Sequence, residues 1–231
     1  MHYDRRAFLS RLGAVAFAGW AGNALDAAGE AAPAGRPPET PLPIIDTHQH
    51  LWDLSVVRMP WLKNAPELKR NFLPDDYKRA SHGLGIEKAV YMEVGAADAD
   101  LAKEADWILR VCREGRGVTV AAVVGGRPGK KGFADYLRPL RNSRFVKGVR
   151  HIPAAGEGGL ALWQSRAFRD DIRRLGEWGL SFDIAVPPAM LPAAVSLVKR
   201  CPATQFILDH CGGADPKMFA PYLKEDSPRA R

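Results

Sequence analysis

Six short apolar runs separated by longer amphipathic stretches constrain what this chain can fold into. The runs are residues 44–50, 88–94, 118–124, 145–152, 181–186 and 205–210. Val118-Thr119-Val120-Ala121-Ala122-Val123-Val124 is apolar on both faces, as a parallel strand covered on both sides must be. The stretches between them, 74–81, 100–113, 133–141, 166–178 and 188–199, read as helices. Pro74-Asp75-Asp76 and Pro187-Pro188 open two of these, and Gly115 and Gly179 follow the ends of two others. The expectation is an α/β fold of six strand–helix units in a row, the last without a recognisable helix. A (β/α) barrel and an open doubly wound sheet can both begin this way.

The chain has 231 residues, nearly half of them hydrophobic, which suffices for one large domain with a real core. Its net charge of +7 could attract anionic substrates or nucleic acid. Nucleic acid is not expected, because no aromatic-basic stripe accompanies the charge. Asp170 and Asp171 among Arg166, Arg169, Arg173 and Arg174 read as an ion-paired, solvated helix face. Cys112, Cys201 and Cys211 are odd in number and widely spaced, and read as buried structural thiols rather than a disulfide framework.

Residues 1–35 read as an export signal and linker. Arg5-Arg6 followed by Phe8-Leu9 is a twin-arginine pattern, and residues 12–25 form a mild, Ala/Gly-rich apolar segment. That segment is too short and too rich in glycine for a stable membrane span. A twin-arginine signal implies a periplasmic protein, delivered already folded. The alternative is a frayed apolar helix. The barrel domain is expected over residues 43–231.

Chemistry is concentrated where the apolar runs end. In Asp46-Thr47-His48-Gln49-His50, residues two apart share a strand face, so His48 and His50 can approach one divalent cation. Two histidines satisfied by each other or by a carbonyl would give the same pattern. The later runs shift the balance. Glu93 ends the second, Lys147-Gly148-Val149-Arg150-His151 the fourth, Asp183 lies on the fifth, and Asp209-His210 closes the sixth. A charge at a buried strand end is costly unless it is paired or ligating. Five strands carrying such groups to one rim read as a site, and that rim is where barrel and open α/β enzymes keep theirs.

The segments Ile45-Asp46-Thr47-His48-Gln49-His50-Leu51-Trp52-Asp53, Pro60-Trp61-Leu62, Lys147-Gly148-Val149-Arg150-His151 and Leu208-Asp209-His210-Cys211-Gly212 resemble, in that order, the amidohydrolase superfamily. Within it they are similar to the amidohydrolase-2 branch that contains sugar-lactone hydrolases. The resemblance implies a (β/α)8 TIM barrel, here incomplete with about six of eight units. It also implies a mononuclear divalent-metal site, with zinc the first candidate. His48, His50 and His210 would be the metal ligands, and His210, Arg150 and Glu93 the catalytic group. Trp52, Lys147, His151 and Asp183 are the expected substrate contacts. The implied reaction is attack of water on a lactone or carboxylate-bearing small molecule, with metal, or a protonated histidine and Arg150, polarising the carbonyl.

The family activates that water with an aspartate after an eighth strand, and the sequence to Arg231 offers none. The expectation is therefore of a C-terminally truncated chain, shorter than the roughly 250 residues typical of the barrel. Unpaired edges on the first and last strands would invite a second chain, so a homo-oligomer is a further expectation. The alternatives are an inactive remnant, a decarboxylase, or a metal-dependent deoxyribonuclease of the same superfamily.

Overall fold

The computed structural model describes residues 42–153, 159–215 and 217. The expected export signal lies outside the described residues. Six strands, β1 (Ile44–Gln49), β2 (Ile86–Met92), β3 (Thr119–Gly125), β4 (Val146–His151), β5 (Ser181–Ile184) and β6 (Phe206–Leu208), form one sheet in the order of the chain. Every neighbouring pair is parallel. Sequential parallel order is how a (β/α) barrel is laid down. A doubly wound sheet would reverse its order at a switch point. Among the described residues the fold is thus an incomplete (β/α)8 barrel with six strand positions filled.

The helices are α1 (Pro74–Ala80), α2 (Leu101–Glu114), α3 (Phe133–Leu137), α4 (Gly159–Gln164), α5 (Arg166–Glu177) and α6 (Leu191–Arg200). Local chemistry sets their limits. The Asp76 carboxylate accepts from the Leu73 amide at the start of α1, and α2 ends at Gly115 with φ +63°, where a side chain would be strained. Ser165 caps α5 by accepting from the Phe168 amide at 3.1 Å. The sequence pattern extends α3 to Arg141, but the helix stops at Leu137 because Pro139 has no N–H to continue it. The turn of α4 and the 3-10 turns Pro60–Asn64 and Pro66–Leu68 are additional elements that the periodicity does not announce.

The core lies between sheet and helices. On α5, Phe168, Ile172 and Leu175 are completely buried at four- and three-residue spacing. Phe168 meets Phe182 of β5 edge-to-face at 5.9 Å and stacks on Trp163 of α4 at 5.2 Å. The opposite face of α5 is ion-paired as its charge pattern requires, with Asp170 bridging Arg166 and Arg173 and Asp171 engaging Arg174. Cys112 and Cys201 are buried, whereas Cys211 is exposed, contrary to its reading as a buried thiol. No helix among the described residues is long and apolar enough to cross a membrane.

Two irregularities in strand pairing aim the site residues. Asp46 opposes Ala89 and Gln49 opposes Tyr91, so β1 carries one residue more than β2 over this stretch. Likewise Ala122 opposes Val146 while Val123 opposes Gly148, leaving Lys147 as the extra residue of β4. Beyond it, Gly148 and Arg150 pair regularly with Ser181 and Asp183. Gly148 is required here, since a Cβ would lie 2.0 Å from Ser181 Oγ and 2.9 Å from the Ser181 carbonyl oxygen. Gly148→Ala is expected to destabilise the chain by roughly 1–3 kcal/mol, the cost of overpacking, as read from the urea unfolding midpoint. An unchanged midpoint would show that the β4–β5 contact is not this close.

Candidate active site

Asp46 fixes the first strand from behind. Its Oδ1 accepts from the His48 amide at 3.0 Å and its Oδ2 from the Tyr77 hydroxyl of α1 at 2.6 Å. With the backbone so held, the His48 and His50 rings lie edge-to-face with centroids 4.9 Å apart. His50 Nδ1 is 2.9 Å from the Met92 carbonyl oxygen. Because a carbonyl only accepts, Nδ1 carries the proton and Nε2 keeps its lone pair. Burial, reinforced by the nearby Arg150 cation, pushes His50 down to a pKa of about 4. His48 is also lowered, mainly by burial, with Asp209 opposing and Arg150 and His210 adding to the effect.

Arg150 occupies the centre, only 2% exposed. Its Nε donates to Glu93 Oε1 at 2.8 Å, Nη2 to the Glu93 carbonyl at 2.6 Å, and Nη1 to Asp209 Oδ2 at 3.2 Å. Nη1 also lies 3.3 Å from His48 Nε2. The remaining oxygen of Glu93 accepts from the Gly95 amide at 2.8 Å. Both oxygens of Glu93 are therefore engaged. Glu93, expected in the catalytic group with Arg150 and His210, is thus placed as the partner that holds Arg150.

His48, Asp209 and His210 each offer a donor atom within 4.8 Å of the other two. Two imidazoles and a carboxylate form a mixed nitrogen–oxygen donor set suited to Zn²⁺ and similar divalent ions. Neutral histidine is the ligating form, and the lowered pKa of His48 favours it. His50, expected as a ligand, stands outside this triple, while Asp209 enters it. The sequence displayed Asp209 at a strand end like the other site residues, which is the signal that could have assigned it. His210 and Cys211 sit at φ +50° and +52°, ahead of Gly212 and Gly213 in the same left-handed region. This turn swings His210 back toward His48, with ring centroids 4.7 Å apart.

Of the groups above, His50, Arg150 and His210 line a cleft of about 810 Å³, with Trp61, Lys63 and Arg127 among its other lining residues. Trp61, whose indole donates to the Val94 carbonyl at 2.7 Å, forms an aromatic wall. Arg127 is tied to Asp98 at 2.7 Å. A larger cleft of about 980 Å³ lies beside α1 and α2, lined by Tyr77, Trp107 and Arg110, but Arg150 and the histidines 48, 50 and 210 do not line it.

The expected substrate contacts Trp52, Lys147, His151 and Asp183 do not line this cleft. Trp52 is buried, donates to the Arg70 carbonyl at 2.7 Å and packs on Phe72, so it braces the first loop. His151 follows Arg150 on the strand and so faces the other way, fully buried beside Phe168. Lys147 is the exposed extra residue of β4 and does not line the cleft. Asp183 is buried opposite Arg150 and accepts from Ser181 Oγ at 3.2 Å. Burial, helped by the charge of Asp209, raises it to about 7.

Residues 45–231 match the Amidohydro_2 family, described as amidohydrolase, and the chain belongs to that family. The protein y4mH of Sinorhizobium fredii, described as uncharacterized, is 24% identical over 194 residues, covering 73% of this chain and 62% of its own length. Among solved structures, an amidohydrolase from Burkholderia multivorans with bound zinc is similar with a TM-score of 0.61. It shares 24% identity over 73% of this chain and 57% of its own. Amidohydrolase 2 from Bifidobacterium longum subsp. infantis is similar with a TM-score of 0.55 and 22% identity, over 74% and 62%. A probable 2-pyrone-4,6-dicarboxylic acid hydrolase from Acinetobacter baumannii with bound citric acid has a TM-score of 0.53 and 16% identity, over 74% and 60%. These structural likenesses support the fold, and the chain spans about 60% of the length of the proteins it matches.

Cys211→Gly is expected to leave stability unchanged or raise it by roughly 0.5 kcal/mol, measured by urea unfolding. The left-handed conformation costs a side chain ~1–2 kcal/mol, more than the ~0.5–1 kcal/mol of added chain entropy. A clear loss would mean that the thiol itself is needed. For Asp183, a folded-state pKa of about 7 against the ordinary 3.8 means that the folded chain holds a proton the unfolded chain has released. Its contribution is therefore most favourable below pH 3.8 and declines as pH rises to about 7, by an amount on the order of a few kcal/mol. In a chelator-treated sample, Asp183→Asn should flatten that part of the stability–pH curve, and an unaltered curve would contradict the buried neutral acid.

Proposed function

We propose that this chain forms a hydrolytic site for a small carboxylate-bearing lactone or similar cyclic ester. The observation that carries the reading is the convergence of His48, Asp209 and His210 within 4.8 Å, beside the Nη1 of a fully anchored Arg150. A cleft bearing Lys63, Arg127 and Arg150 suits a carboxylate, and Trp61 offers a flat apolar face to a ring. The names of two similar proteins fit this reading, one holding zinc and one described as a probable pyrone-dicarboxylic acid hydrolase.

His48, Asp209 and His210 would hold the divalent ion, zinc being the first candidate. Once bound, such an ion supplies a Lewis acid and makes water a nucleophile near neutral pH. Arg150 is already held by Glu93 and Asp209, so its guanidinium meets a developing oxyanion without reorganising. His50, neutral down to a pH of about 4, lines the cleft without adding charge. His210 also lines the cleft, so an ion it helps to hold would face a substrate bound there. The twin-arginine pattern supports action in the periplasm, testable by fractionating cells that express the whole gene with and without Arg5→Lys/Arg6→Lys.

His48→Ala and Asp209→Asn should each weaken Zn²⁺ binding to the purified chain at least tenfold by isothermal titration calorimetry. Arg150→Lys should leave zinc binding in place yet lower kcat/KM on carboxylate-bearing lactones about 10²-fold, the scale for one oxyanion donor. Undiminished zinc binding in both ligand variants, or equal turnover with Lys at position 150, would overturn this reading.

A further inference from the structure

Behind the Glu93–Arg150 pair lies a second buried acid that the proposed reaction does not use. Glu104, on the first turn of α2, is 2% exposed. Its Oε1 accepts from the Tyr91 hydroxyl at 2.8 Å and from the Val94 amide at 2.9 Å, on either side of Glu93 in the chain. Its Oε2 is buried without a hydrogen-bond partner. Gly125 explains how the two acids come together. The point where its Cβ would sit is 3.4 Å from Glu104 Oε2 and 3.4 Å from Glu93 Oε2. A Cβ there would touch both oxygens and lie 2.9 Å from Leu101 Cδ2, so any side chain at position 125 would crowd the space they share.

We infer that Glu104 is a positioning residue for the Glu93–Arg150 pair. It acts as a neutral acid that grips β2 just before and just after Glu93 and keeps its protonated oxygen, Oε2, on the Gly125 side facing Glu93. Two buried carboxylates this close would repel if both were charged, whereas a neutral Glu104 leaves Glu93 as the one charged member of the two, free to pair with Arg150. The direction of titration agrees. Burial and the Glu93 charge raise Glu104 to about 7, opposed by its bonds to Val94 and Tyr91 and by Arg127. The groups around it are Tyr91, Glu93, Arg127 and Tyr136, and the last is itself raised, chiefly by burial. The cation acting on Glu104 is Arg127, whose own ion pair is with Asp98, so neutrality of Glu104 relieves repulsion from Glu93.

The inference depends on the proposed function only for the use made of Arg150, and its test requires no turnover. In the chain labelled with ¹³C at glutamate Cδ, one carboxyl should titrate near pH 7, and Glu104→Gln should remove that signal. In Glu93→Gln the same signal should move to lower pH, because the neighbouring charge is gone. The Arg150 Nε–H resonance reports the ion pair with Glu93 directly. It should persist in Glu104→Gln, whose amide oxygen still accepts from Tyr91 and Val94, and shift or vanish in Glu104→Ala. Absence of any glutamate titrating near 7 would overturn the inference. So would a Glu104 midpoint indifferent to Glu93→Gln, or an Arg150 resonance unmoved by Glu104→Ala. Should Glu93→Gln not fold, the two Glu104 variants decide the matter alone.

Discussion

A guanidinium buried at the centre of the strand ends is the constraint on which the rest of the site depends. Arg150 has almost no access to water, and an unpaired cation there would cost several kcal/mol. The fold meets that demand by bringing β2, β4 and the end of β6 together, so that Glu93 and Asp209 flank it. Glu93 contributes a side-chain oxygen and its own carbonyl, so the carboxyl end of β2 is fixed in position and not only in charge. Asp209 then stands between Arg150 and His48 and belongs to both the ion pair and the candidate metal triple.

The same burial sets the protonation of the surrounding groups. Near a fixed cation and away from water, imidazoles favour their neutral, ligating form, and His48 and His50 are both lowered. Acids for which burial outweighs the nearby cation move the other way, so Asp183, despite Arg150, and Glu104, despite Arg127, are both raised to about 7. Two acids beside the site therefore titrate around neutrality. Perturbation by burial together with identified charge partners, next to a cleft, is the pattern expected of a functional site.

Much of this is legible in residue order. The six apolar runs locate every described strand to within a few residues, because the central parallel strands are largely buried and have to be apolar along their length. The helix limits at Leu73–Pro74, Gly115 and Ser165 follow from caps whose chemistry is local. Where periodicity failed, a local element intervened: Pro139 cut α3 short, and the turn of α4 formed to stack Trp163 on Phe168. Among the site residues, His48, Glu93, Arg150 and His210 are visible as polar groups ending apolar runs. Trp52 and His151 share that location but point into packing, since neighbouring strand residues face opposite sides and an indole N–H takes whichever carbonyl lies nearest.

By itself the sequence determined the α/β class, the succession of strands and the rim that carries the chemistry, because all three depend on patterns within a few residues. Tertiary structure decided that the sheet runs in sequential barrel order, that Lys147 is turned out while Arg150 is turned in, and that Asp209 rather than His50 joins His48 and His210. Those outcomes depend on strand register, on an extra residue in β1 and another in β4, and on a left-handed turn after β6. They are contacts between segments distant in sequence, whose geometry is fixed only when the buried charge of Arg150 finds partners on two other strands.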